Sequence, residues 1–157
     1  MPARTLHLAL PGPDATAALA RRIGAGLRPG DVLLLDGPVG AGKTHFARSL
    51  IQSLLPVPED VPSPTFTLVQ TYEGAGFDIW HTDLYRLSST EEVIELGLLE
   101  AFDHSVTLVE WPDRLGALVP TNALTLAFAP HDDPDQRVLD ITWRDPRWDD
   151  RAGEFSA

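Results

Sequence analysis

A short glycine-rich segment between two apolar stretches sets the strongest limit on how this chain can fold. Residues 37–44 read GPVGAGKT, which has the spacing G-x-x-x-x-G-K-T. The segment follows the continuous apolar run VLLLD, typical of a strand covered on both faces, and precedes HFARSLIQSLL, whose apolar residues recur at helical spacing. A strand, a glycine loop and a helix in this order predict a phosphate-binding loop, or P-loop, in an α/β protein.

The predicted loop supplies specific groups to a nucleotide. Its backbone N–H groups turn inward around phosphate oxygens, and the N-terminus of the following helix lies behind them. Lys43 is expected to reach the β- and γ-phosphates, and Thr44 to supply a hydroxyl to Mg²⁺. Pro38 has no N–H, so its position must face away from the phosphates. The residues predicted to bind the nucleotide are Gly37, Gly40, Ala41, Gly42, Lys43, Thr44 and His45.

A second apolar run ends in a carboxylate. SVTLV at residues 105–109 is followed by Glu110, Trp111 and Pro112. Mg²⁺ takes one or two carboxylates together with phosphate and water, and in P-loop folds such a carboxylate ends the strand beside the P-loop strand. Glu110 is therefore predicted to bind the metal. Trp111 fits two roles equally well, a group beside the site or a core aromatic.

The alternation of strand and helix patterns predicts an α/β fold. We expect a P-loop NTPase-like three-layer sandwich, with a central, largely parallel sheet and added antiparallel hairpins. The hairpins are predicted around EGAG at residues 73–76 and between NALTLAFA and RVLDITWR, and Asp14 is predicted to cap the first helix. Residues 1–145 are expected to form a single P-loop domain, and the acidic residues 146–157 a loosely ordered tail.

Composition excludes several classes of protein. The 157 residues include no Cys, so disulfides, thiolate metal sites and Cys nucleophiles are ruled out. The formal net charge of −11 repels phosphate backbones, which makes unaided binding of nucleic acid unfavourable. No apolar run approaches the roughly 20 residues of a membrane helix, and the N-terminus lacks a signal-peptide pattern. We therefore expect a cytoplasmic protein without membrane contact.

Four motifs in a fixed order resemble one family. They are GPVGAGKT at 37–44, SPTFTLV at 63–69, HTDLYR at 81–86 and LVEWP at 108–112. In so short a chain this set resembles the TsaE (YjeE) family, small P-loop ATPases of the bacterial pathway that makes threonylcarbamoyladenosine in tRNA. The resemblance extends from Asp14 to about Val119. It departs from the family pattern at His45, where a second Thr is common, and at Pro38-Val39, where an Asp-Leu pair is frequent.

The resemblance implies roles for particular residues. Lys43 and Thr44 match the family's phosphate lysine and Mg²⁺ hydroxyl, and Glu110 matches its Walker-B carboxylate. Thr65 is implied to belong to a mobile, switch-like segment, and Asp83 to act at the metal or its waters. On the residues alone, the SPT segment also fits a proline turn and Asp83 a strand-end cap. The implied catalytic residues are Lys43, Thr65, Asp83 and Glu110, and the implied metal ligands are Thr44, Asp83 and Glu110, with ATP and Mg²⁺ as cofactors.

The histidines show no metal-ligand spacing and fit ordinary polar positions, and His45 is given no catalytic role. His81 alone stands out, because it lies two residues before Asp83 on the same face of a predicted strand.

The resemblance also implies a function and partners. It implies weak ATP hydrolysis by a positioned water, in support of an assembly with homologues of TsaB and TsaD. Within that assembly, TsaD is implied to carry out the threonylcarbamoyl transfer, and the partners are implied to make most of the tRNA contacts. A GTPase is disfavoured, because the guanine-reading N-K-x-D segment is missing and Asn122 is the only Asn. Two alternatives stay open. One is a small P-loop kinase, for which the segment after Asp83 offers Arg86 but no arginine-rich lid, and the other is a module that binds ATP without significant turnover.

Overall fold

A single mixed sheet forms the centre of the molecule. The computed structural model describes residues 3–38, 41–57, 59–64, 67–133 and 136–155, and its seven strands are ordered β1-β7-β6-β2-β5-β4-β3. Strands β6, β2, β5 and β4 pair in parallel, whereas the pairs β1–β7, β6–β7 and β3–β4 are antiparallel. This confirms the predicted α/β fold. The strands are β1 (Arg4–Leu10), β2 (Val32–Asp36), β3 (Val69–Glu73), β4 (Asp78–Asp83), β5 (Val106–Glu110), β6 (Leu124–Pro130) and β7 (Arg137–Trp143).

Helices cover both faces of the sheet. On one face lie α1 (Pro13–Ala25), α2 (Lys43–Leu54) and α5 (Ala152–Phe155), and on the other lie α3 (Thr90–Glu95), α4 (Leu98–His104) and the 3-10 segment Pro112–Leu118. Within the described part of the chain, no helix is both long and apolar enough to cross a membrane. The three layers explain why the central strands are apolar on both sides.

Strand β2 shows how the two cores are divided. Leu33 and Leu35 belong to the buried cluster beneath α1 and α2, while Val32 and Leu34 belong to the cluster beneath α3 and α4. Successive side chains of a strand point to opposite faces, so a continuous apolar run is required where both faces are covered.

Helix α1 begins slightly earlier than predicted. Gly12 is its N-cap residue and Pro13 its first residue, and no side chain caps it. The prediction that Asp14 caps the helix is wrong, because the fixed φ of Pro13 already starts the helical turn. Asp14 instead lies in the first turn, where a negative charge is favourable.

Parallel pairing brings the ends of three strands to one edge of the sheet. Glu110 at the end of β5 is in register with Leu35 of β2 on one side and with Asp83 of β4 on the other. Because the glycine loop leaves β2 at this edge, the two acidic strand ends lie beside it.

The C-terminal segment packs onto the domain instead of forming the loosely ordered tail that its composition suggested. Trp148 is 0% exposed and Phe155 is 2% exposed. The indole Nε1 of Trp148 donates a hydrogen bond of 2.8 Å to the carbonyl oxygen of Asn122. Two aromatic side chains therefore fasten residues 146–155 within the larger core cluster.

Ion pairs add to this attachment. Asp31, immediately before β2, is 1% exposed, and its carboxylate oxygens lie 2.6 Å from Arg151 and 3.3 Å from Arg147. The backbone N–H of Arg28 donates to the same carboxylate at 2.8 Å. A buried carboxylate needs such partners, so the C-terminal segment also satisfies the buried charge of Asp31.

We expect Trp148→Ala to lower the free energy of unfolding by about 3–5 kcal/mol, the usual cost of removing a buried aromatic ring. Denaturant unfolding measures the change. The matched control is Asp150→Ala, an exposed residue of the same segment, for which a change within about 0.5 kcal/mol is expected. Equal and small effects of both substitutions would contradict the packing of residues 146–155.

Candidate functional site

Glycine is required at both ends of the predicted phosphate-binding loop. Gly37 has φ 135°, and a Cβ at this position would overlap the carbonyl oxygen of Phe128 on β6. Gly42 has φ 105° and forms the N-cap of α2, where its carbonyl accepts the N–H of Phe46 at 2.9 Å. Side chains are strained at such φ values, so the loop's turn depends on these glycines.

Lys43, Thr44 and His45 form the beginning of α2. Gly40 of the loop, and Thr65, fall outside the described residues. Ala41 is buried, and its N–H donates to the carbonyl of Pro38 at 3.2 Å. The imidazole of His45 lies 3.0 Å from the carbonyl oxygen of Pro13. Its side chain therefore links α2 to the beginning of α1.

Lys43 is the only lysine in the chain, and it is 5% exposed. Its Nζ donates a hydrogen bond of 2.5 Å to the carbonyl oxygen of Gly37 and lies 3.6 Å from the centroid of the Trp111 ring. Burial lowers the pKa of Lys43 from 10.5, although nearby carboxylates oppose the shift. Those carboxylates belong to Glu110, Asp36, Asp83 and Asp113. The loop thus holds a partly desolvated ammonium group.

Trp111 lies beside the site, which decides between its two predicted roles. Its ring contacts Lys43 and packs against Tyr85, with ring centroids 4.8 Å apart. The residue has φ 59°, in the left-handed region that non-glycine residues rarely adopt. The chain reverses there between β5 and the 3-10 segment, and this turn directs the indole toward the loop.

Glu110 connects the loop to the sheet. It is 2% exposed, and its Oε1 accepts a hydrogen bond of 2.9 Å from the Thr44 hydroxyl. Its Oε2 lies 2.7 Å from Nε2 of His81. The structure therefore brings together the two residues that the sequence predicted separately for the metal, and it adds a histidine.

The oxygen groups at this point suit a hard cation. A hydroxyl and a carboxylate within hydrogen-bonding distance are ligands that Mg²⁺ accepts. Among the described residues, no three His, Asp or Glu side chains form a group that could hold a metal alone. Such a pair matches the way Mg²⁺ usually binds, through a few protein oxygens with phosphate and water.

Asp83 lies at the end of β4, 6% exposed and in register with Glu110. Its Oδ1 accepts the backbone N–H of Tyr85 at 3.0 Å. The carboxylate therefore caps the turn after β4, which is one of its two predicted roles. Its action at a metal or its waters stays a prediction.

The contact between His81 and Glu110 was not predicted from the sequence. Alternation along β4 puts His81 and Asp83 on one face, as the sequence predicts. The contact also requires β4 to be the neighbour of β5, and no local pattern shows that order.

Comparisons with known proteins agree with this fold. The sequence profile of the family described as "Threonylcarbamoyl adenosine biosynthesis protein TsaE" matches residues 10–139. The chain is 41% identical over 129 residues to the tRNA threonylcarbamoyladenosine biosynthesis protein TsaE of Rickettsia bellii (strain RML369-C), covering 82% of this chain and 89% of that protein. It is 34% identical over 145 residues to the protein of the same name from Bacillus subtilis (strain 168), covering 92% of this chain and 89% of that protein. The crystal structure of YdiB from Bacillus subtilis superimposes with a TM-score of 0.82 and 29% identity, over 99% of this chain and 96% of that one.

We expect Lys43→Met to raise the midpoint of thermal unfolding of the nucleotide-free protein at neutral pH. The lowered pKa means that the folded state binds the proton less well than the unfolded state, so the charged lysine destabilises the fold below its folded pKa. As pH rises through that pKa towards 10.5, the penalty disappears and the variant's advantage should shrink. A constant difference across that range would contradict the assignment. Because the chain has one lysine, NMR of a single side-chain amine measures its pKa directly.

Proposed function

The chain belongs to the TsaE family of threonylcarbamoyl adenosine biosynthesis proteins, and from this premise we propose that it binds ATP with Mg²⁺ and hydrolyses it in support of tRNA threonylcarbamoyladenosine biosynthesis. The observation that carries the proposal is the meeting of Lys43, Thr44 and Glu110 where the glycine loop enters α2. The family match supports the pathway, and this meeting supports the nucleotide chemistry.

The chain's own groups would bind the triphosphate. Backbone N–H groups at the start of α2 would face the phosphates, and Lys43 would offer them a positive charge. Thr44 and Glu110, whose oxygens lie 2.9 Å apart, would hold the metal. Mg²⁺, when bound, neutralises the charge that develops on the phosphates during transfer. Asp83 is proposed to orient the attacking water or the metal's waters, and Thr65 to complete the site from a switch-like segment.

We propose that hydrolysis by the isolated chain is slow. Its rate depends on how well a water molecule is positioned, and not on the presence of Lys43 and Glu110 alone. Homologues of TsaB and TsaD are the proposed partners that improve this positioning. The net charge of −11 supports a division of labour in which those partners make most of the tRNA contacts.

We predict that Lys43→Ala and Glu110→Ala have different effects. Loss of the Lys43 charge should weaken ATP binding by about tenfold or more, since a charged hydrogen bond contributes about 1.5–3 kcal/mol. Glu110→Ala should retain much of the binding while Mg²⁺-dependent phosphate release falls by about a hundredfold. Calorimetry and a phosphate-release assay measure the two quantities, with the exposed Glu100→Ala as control. Unchanged turnover in the Glu110 variant would remove Glu110 from the proposed chemistry.

We further expect phosphate release to rise at least severalfold when homologues of TsaB and TsaD are added. The assay compares the protein alone, the three proteins together, and the same mixture with Lys43→Ala to subtract contaminating ATPases. ATP binding without hydrolysis under every condition would favour a binding module. Phosphate transfer to an added small-molecule acceptor in place of release would favour a kinase.

A further inference from the structure

Within the described part of the chain, the side chain of His81 has one polar contact, which is with Glu110. The ring is 0% exposed within β4, and its Nε2 lies 2.7 Å from Oε2 of Glu110. Its Nδ1 is buried and has no hydrogen-bond partner among the described residues. A carboxylate that binds a metal is ionised and can only accept hydrogen bonds, so in the proposed function Nε2 would be the donor of this bond. We propose that His81 is a positioning residue that fixes the Glu110 carboxylate for binding Mg²⁺ and nucleotide, an inference that rests on the proposed function.

The surroundings of His81 show what an imidazole adds there. Ile79, two residues earlier on the same face of β4, is 0% exposed, and so is Leu108, the residue of β5 in register with His81. An apolar side chain would suit this position if filling space were its only purpose. Buried polar atoms nearly always have partners, and the unpaired Nδ1 is a cost of placing histidine there. The bond to Glu110 is the gain that offsets this cost.

The two hydrogen bonds of Glu110 fall on different oxygens. Oε2 meets His81 from the neighbouring strand, and Oε1 meets the Thr44 hydroxyl from α2. The terminal torsion of a glutamate is intrinsically broad, so a contact on each oxygen is needed to fix the carboxylate plane. The arrangement directs Oε1 towards the loop.

Only one of these two contacts comes from a residue that is a proposed metal ligand. In the proposed function the Thr44 hydroxyl would itself bind the metal. His81 contacts the other oxygen of Glu110 from β4 and is not a proposed ligand. Hydrogen bonds to a ligating carboxylate from outside the metal's own shell orient it, and their loss usually costs about 10–100-fold in metal affinity or activity.

The test compares His81→Met with His81→Gln. Glutamine keeps a donor at similar reach, while methionine keeps the length and removes the donor. ATP affinity is measured by calorimetry over a range of Mg²⁺ concentrations and in EDTA. His81→Met should raise the Mg²⁺ concentration for half-maximal effect by about tenfold or more and leave the affinity in EDTA unchanged. His81→Gln should stay near the wild-type value.

A second comparison separates positioning from general stability. Combined with Glu110→Gln, His81→Met should cause no additional change in the Mg²⁺ requirement, because the two residues then act as one unit. Thermal unfolding reports whether each variant is folded. If His81→Met does not fold, the pair His81→Gln and His81→Asn decides, since asparagine has the same amide on a shorter side chain and should raise the requirement.

The outcomes distinguish this inference from the proposed function. If wild-type binding of ATP responds to Mg²⁺ but His81→Met, or His81→Asn in its place, has the wild-type Mg²⁺ requirement, the positioning role is overturned and the proposed function stands. The positioning role is also overturned if His81→Met weakens binding equally with and without metal. If wild-type binding of ATP is absent or indifferent to Mg²⁺, the proposed function fails, and the inference fails with it.

Discussion

The burial of the Glu110 carboxylate is the constraint on which the arrangement of the site depends. At 2% exposure this group has lost nearly all of its water, so the protein must supply its hydrogen bonds. One comes from Thr44 at the start of α2 and the other from His81 in β4. Both partners are within reach only because β5 lies between β2 and β4 in parallel register. The strand order and the glycine loop are therefore both needed to supply the hydrogen bonds of the Glu110 carboxylate.

Lys43 imposes a second constraint, of opposite sign. Its ammonium group is buried by the loop that is proposed to present it to phosphate, and desolvation lowers its pKa. A backbone carbonyl and the face of Trp111 replace part of the lost water. The left-handed backbone of Trp111 is the conformation that brings the indole to this position. Strain and an unfavourable charge occur together here, as is common at sites adapted for binding instead of stability.

The local elements could be predicted from the sequence because each has a local cause. The glycine spacing predicts the loop, the apolar runs predict β2 and β5, and EGAG predicts the turn between β3 and β4. The contact of His81 with Glu110 depends on strand order, and the order of parallel strands leaves no local pattern. The prediction for the C-terminal segment was wrong for a similar reason. Its arginines pair with Asp31, more than a hundred residues earlier. The prediction relied on the acidic composition of the segment and gave no weight to the aromatic residues that anchor it.

The charges around the loop affect how strongly a polyanion would bind there. Four carboxylates act on the single lysine of the chain, so the field at the loop mixes one positive charge with several negative ones. Free ATP carries several negative charges and would be repelled by these groups as well as attracted by Lys43. A divalent cation would reduce the repulsion in two ways. It would neutralise phosphate charge, and it would offset the charge of the Glu110 carboxylate. In the proposed function, the same acidic surroundings that discourage nucleic acid would therefore favour binding of nucleotide and metal together. The orientation of Glu110 would then matter for binding as well as for chemistry.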